Sequence, residues 1–131
     1  MVPLNQWSHI AGVYRNDTDI LAVAVNGDIS WREDMLFAGN FSTDPNYKFG
    51  IGDYNTDLAV VSQAFSGKID SVRISNIVRY TENFVTEESF LPDENTVALW
   101  NFDEPAGSTS FVDASGNGYT LTAFGNATTG Y

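Results

Sequence analysis

Residues 20–32 read Ile20-Leu21-Ala22-Val23-Ala24-Val25-Asn26-Gly27-Asp28-Ile29-Ser30-Trp31-Arg32, and this stretch decides the fold class. The run from Ile20 to Val25 is apolar on both faces and closes at Asn26-Gly27, the residue pair that suits the left-handed positions of a two-residue hairpin turn. Beyond the turn, Ile29 and Trp31 alternate with Ser30 and Arg32, as a returning strand should. Upstream, residues 6–14 are rich in strand formers. Ile10, Gly12 and Tyr14 share one face there, Ala11 and Val13 the other, and Arg15-Asn16-Asp17-Thr18-Asp19 makes a polar turn.

Working outward, the same short-strand rhythm continues. Residues 39–46 are loop-like, 47–52 read as a short strand, 53–57 as a turn, and 58–65 and 68–75 as two more strands. Residues 76–84 carry Ile77, Val78 and Tyr80 and predict a single helical turn. Residues 86–95 are acidic, contain Pro92 and have no period, so they read as a linker. A strand over 97–103, a turn at Glu104-Pro105-Ala106-Gly107, a short strand at 110–112, a Gly-rich loop at 113–118 and a last strand over 119–124 follow. Many short strands separated by turn signals predict an all-β sandwich.

Composition narrows the function. The chain has 131 residues and a formal net charge of -11, with 43% hydrophobic and 14% aromatic residues. That is one domain of ordinary size and too apolar for a disordered acidic tail. No cysteine is present, which excludes disulfides, a thiolate zinc site and a cysteine nucleophile. The single histidine excludes a multi-histidine metal site within one chain. So acidic a surface repels phosphate backbones, so nucleic acid is not an expected partner. No stretch approaches the ~20 apolar residues of a membrane span, so no membrane partner is expected, and no signal-peptide pattern is present.

Three groups of motifs, taken together, resemble the laminin-G-like branch of the concanavalin A-like lectin/glucanase superfamily. The first is Trp7-Ser8-His9-Ile10-Ala11-Gly12-Val13-Tyr14, followed by Leu21-Ala22-Val23-Ala24-Val25-Asn26-Gly27. The second is Phe49-Gly50-Ile51-Gly52 and then Phe65-Ser66-Gly67-Lys68-Ile69-Asp70-Ser71-Val72-Arg73-Ile74-Ser75-Asn76. The third is Leu99-Trp100-Asn101-Phe102-Asp103-Glu104, leading to Asp113-Ala114-Ser115-Gly116-Asn117-Gly118. The resemblance implies a concanavalin A-like jelly-roll β-sandwich, permuted or partial, because the segment that closes the family's domain comes first here and the opening segments come last. A single domain over 1–131 is expected. Residues 1–85 resemble the C-terminal half, 86–95 link, and 96–131 resemble the N-terminal start. Joining first and last strands in this way is tolerable because they lie side by side in such sandwiches. A bulge is expected near Asp70, and without one Asp70 faces inward and needs a partner.

Chemistry candidates are few. Asp113-x-Ser115-x-Asn117-Gly118 has the oxygen spacing of the first half of a calcium loop, although the twelfth position is Phe124 instead of a bidentate Glu. The resemblance implies a structural Ca2+ near this loop, held by Asp113, Ser115 and Asn117 with Asp70 contributing from a nearby strand. The alternative is an Asx-type turn. The acid pairs Glu33-Asp34, Glu87-Glu88 and Asp103-Glu104 are neighbours in sequence and so point to opposite faces of a strand, which does not suit a hydrolase. They read as solvated surface, and no enzyme is expected. His9 reads as a packed or half-exposed structural residue, and the sequons beginning at Asn16, Asn40 and Asn126 matter only in a eukaryotic secretory route.

Aromatic residues supply the remaining functional signal. Sugar rings stack on exposed aromatic planes while acids and amides bond the hydroxyls. Trp31, Tyr47, Asp53, Tyr54 and Asn55 are therefore the expected ligand residues, whereas the resemblance places Trp7 and Trp100 in the core. The expected function is a non-catalytic lectin-like module for a glycan or a protein surface. The alternatives are a structural assembly unit with no small ligand and, third, a polysaccharide hydrolase. The resemblance favours an extracellular or cell-surface location. The missing middle strands predict an open edge and hence a homodimer or another homo-oligomer.

Overall fold

The computed structural model describes residues 1–32, 49–52 and 65–130. The described residues form seven strands and no helix: β1 (Ile10–Arg15), β2 (Ile20–Val25), β3 (Asp28–Arg32), β4 (Val72–Ser75), β5 (Thr96–Trp100), β6 (Ser110–Phe111) and β7 (Leu121–Thr122). They pair antiparallel in three sheets, ordered β1-β2-β3, β4-β5 and β6-β7. The all-β expectation holds. The described strands do not by themselves close a sandwich, in keeping with a partial one. The strand expected over 58–65 lies outside the described residues apart from Phe65, and so do the loop at 39–46 and the turn at 53–57. Residues 49–52 are irregular, not a strand.

The hairpin forms as its sequence dictates. Val25 faces Asp28 across the two-residue turn, with Asn26 at φ 52 and Gly27 at φ 88. Both values lie in the left-handed region that an Asn-Gly pair accepts at low cost. Register then sorts the faces. Val13 lies opposite Ala22 and Ala22 opposite Trp31, while Ala11 pairs with Ala24 and Ala24 with Ile29. Ala22 and Ala24 are buried, at 2% and 0% exposure, whereas Val23 on the other face is 52% exposed.

A second core sits between the two smaller sheets. Ala98, Trp100 and Phe111 are its buried centre, with Val72, Ile74, Phe102, Leu121, Ala123 and Ile51 packed around them. Alternation explains the set: Val72 faces Trp100 and Ile74 faces Ala98 across the β4-β5 ladder, so all four point to one side. Phe102 meets Phe111 edge to face at 5.3 Å, Phe49 stacks on Trp100 at 5.9 Å, and the Trp100 indole N–H donates to the Tyr119 carbonyl at 2.7 Å. Burying a side chain of this size contributes roughly 1.5–3 kcal/mol.

Four expectations need correction. The helical turn at 76–84 is absent, because its groups bond to other elements: Arg79 reaches Ser75 and Asp93, Asn83 reaches Ile29 and Asp28, and the Phe84 N–H donates to the Gly27 carbonyl. The register shift falls between Ile74 and Ser75, not at Asp70. Asp70 is exposed and precedes β4, so it requires no buried partner. Trp7 is 66% exposed and no part of the core, unlike Trp100 at 2%.

Candidate functional site

The loop after β6 is built around one carboxylate. Asp113 is buried, and its Oδ1 accepts the Leu99 N–H at 3.0 Å and the Ser115 N–H at 2.9 Å. Its Oδ2 accepts the Ser115 hydroxyl at 2.9 Å and the Tyr119 N–H at 3.0 Å. Burial raises the Asp113 pKa, but the donors from Leu99, Ser115 and Tyr119 outweigh it and hold the carboxyl well below the usual range. Asn117 donates its side-chain amide to the Val97 carbonyl at 2.9 Å and the Thr96 carbonyl at 3.2 Å, and the Ala114 N–H donates to the Leu99 carbonyl at 2.7 Å. Gly116 and Gly118, both at φ +84, make the reversal possible. The loop therefore clips onto β5 as an Asx-type turn, and a cation at Asp113 would have to displace these donors. Among the described residues no three His, Cys, Asp or Glu side chains are grouped as metal ligands, and Asp70 stands exposed.

A second polar cluster joins β4 to the segment that follows it. The Arg73 side chain is 7% exposed, and its guanidinium donates to Glu87 Oε1 at 2.9 Å and Oε2 at 3.2 Å. It also donates to the Tyr80 hydroxyl at 3.2 Å and lies 4.4 Å above the Phe90 ring. The Arg73 hydrogen bonds keep the Glu87 pKa low against the opposing effect of burial. Arg79 likewise grips Asp93 with bonds of 2.7 and 2.9 Å, and Asp93 accepts from the Thr96 hydroxyl at 2.8 Å. These two forks hold the segment 86–95, read from sequence as a plain linker, against the sheet. They also correct the reading of Glu87 as free solvated surface. Glu104 is engaged as well, accepting the Val112 N–H at 2.7 Å.

An open groove lies on the outer face of the hairpin. Met1, Pro3, Val23, Val25, Asn26, Asp28 and Ser30 line a groove of about 520 Å³ there. Val23 and Val25 give it an apolar floor, Asn26 and Asp28 place amide and carboxylate at the turn end, and Ser30 sets a hydroxyl across from Val23. Trp31 lies on the opposite, inner side with Ala22, half-buried, with the Arg15 guanidinium 5.7 Å from its ring centre. Tyr47, Asp53, Tyr54 and Asn55 lie outside the described residues, so of the expected ligand set only Trp31 is placed, and not in the groove. Sequence reading missed Val23 and Ser30 as surface residues, although alternation from the buried Ala22 and Ala24 puts both on the outer face.

These features define a class: an antiparallel β-sandwich in which Glu87, Asp93, Glu104 and Asp113 are tied into structural hydrogen bonds and the described hairpin presents an open face. A laminin-G-type family model, described as the concanavalin A-like lectin/glucanases superfamily, matches residues 1–83. The match spans more than half of the chain, and the chain belongs to this superfamily. No curated protein and no solved structure matches it significantly.

Proposed function

We propose that this chain is a non-catalytic, lectin-like recognition module that binds a carbohydrate or a protein surface through the outer face of its hairpin sheet. The observation that carries the reading is the groove over Val23 and Val25, rimmed by Asn26, Asp28 and Ser30. A shallow apolar floor with a few convergent polar groups suits a neutral, hydroxyl-rich ligand. Structural engagement of Glu87, Asp93, Glu104 and Asp113 supports recognition over hydrolysis, because a hydrolase needs two carboxylates free to face one another across a cleft.

A printed glycan array, read with calcium and with chelator, tests this. The expected result is selective retention on a subset of glycans. A second reading, an assembly unit, is favoured by Ile10 and Val23 on the same outer face, at 58% and 52% exposure. An empty array together with self-association in light scattering would replace the first reading by the second.

A further inference from the structure

The chain holds one histidine, and it stands where the hairpin sheet meets the segment after β4, beside the Asn83 and Phe84 bonds that join them. His9 leads into β1 and is fixed to the hairpin turn. Its N–H donates to Asn26 Oδ1 at 2.9 Å, and its carbonyl accepts the Asn26 N–H at 2.8 Å. Its ring is enclosed from the other side by Phe84, Phe90 and Tyr80, all edge-on, with centroids at 5.5, 5.8 and 6.1 Å. Tyr80 and Phe84 stack on each other, so the three rings form a wall. The His9 Nδ1 is fully enclosed and has no hydrogen-bond partner.

That enclosure accepts a neutral imidazole and opposes an imidazolium. A protonated ring needs two acceptors, whereas the neutral ring needs one. The titratable and charged described groups that face it are Tyr80, Glu87 and Arg73. Both Glu87 oxygens already accept from Arg73, and Oε1 also accepts from the Tyr80 hydroxyl at 3.3 Å. We propose that His9 is an acid-sensitive latch, whose protonation loosens residues 80–90 from the hairpin sheet.

Burial lowers the His9 pKa from its ordinary 6.5, Glu87 partly offsets this, and Arg73 adds to it. A histidine depressed in the folded state contributes stability that is full above the unfolded value and is lost as pH falls below it. The latch therefore weakens below about pH 6.5. Glu87, Asp93 and Asp113 are also depressed, so their contributions fade only below their ordinary values of 4.5 and 3.8. Of these four groups, only His9 changes its contribution between the two windows.

The test is thermal melting of the full chain from about pH 7 to about pH 5, with hydrogen exchange of peptides covering residues 80–90, for wild type and His9→Phe. Wild type should lose several degrees and exchange at least about threefold faster in that segment after correction for intrinsic rates, while His9→Phe stays flat. His9→Gln, polar and without a titration in this range, gives the same comparison if the phenylalanine variant fails to fold. Coincident pH profiles for wild type and a folded variant would overturn the latch, and so would faster exchange spread evenly over β4 and β5. Neither result bears on the glycan array.

Discussion

Asp113 accepts four hydrogen bonds from three residues, and one of them ties its loop to a buried strand. Replacing Asp113 by Ala strips the Leu99 N–H of its acceptor inside the fold and should cost roughly 2–3 kcal/mol of stability in denaturant titration. A loss near zero would show that water substitutes for the carboxylate. The same protein melted with calcium and with chelator reads the ion directly. A rise in wild type that Asp113→Ala loses would assign the loop to calcium, and coincident curves would leave the hydrogen-bonded turn as its whole role. The sequence made the loop visible because spacing of oxygens is local information. It could not say whether those oxygens face an ion or N–H groups, because the decisive donor, Leu99, comes from 14 residues away.

Elements were legible where their signals were local. Asn26-Gly27 with alternation on either side predicts the hairpin, and the register follows from the two-residue turn. The turn also has a tertiary duty that no local pattern shows. Gly27 accepts the Phe84 N–H at 3.0 Å, and a Cβ at Gly27 would collide with the Phe84 carbonyl. Gly27→Ala therefore combines a left-handed backbone cost with lost docking of the segment after β4, and should destabilise by about 1–3 kcal/mol. An unchanged denaturation midpoint would mean that Phe84 yields freely. The segment 76–90 does not form the helical turn expected over 76–84, for the same reason. Its Arg79, Asn83, Phe84 and Glu87 bond to partners distant in sequence, which periodicity does not register.

At the scale of the whole molecule, the chain reads as a hairpin sheet and a small two-sheet core, bridged by the Arg73 and His9 clusters. Superfamily membership was legible from motifs spread along the chain. The proposed binding face was not: Trp7 stands in a motif expected in the core yet is exposed, and Trp31, expected at the surface, lies half-buried on the inner face. Motif identity fixes a residue type, but exposure depends on which sheet covers it. The outer hairpin face is the central claim, and Val23 is its most telling residue because its side chain is half exposed and pairs across the sheet with Ser30. The direct measurement is a printed glycan array read in parallel with wild type, Val23→Lys and Val112→Lys, the last altering an exposed residue beside the β6-β7 sheet. The account predicts that Val23→Lys loses about tenfold or more of the binding while Val112→Lys retains it, since a ligand seated on the groove floor would have to bury the lysine charge. Equal binding by wild type and a folded Val23→Lys variant would contradict it.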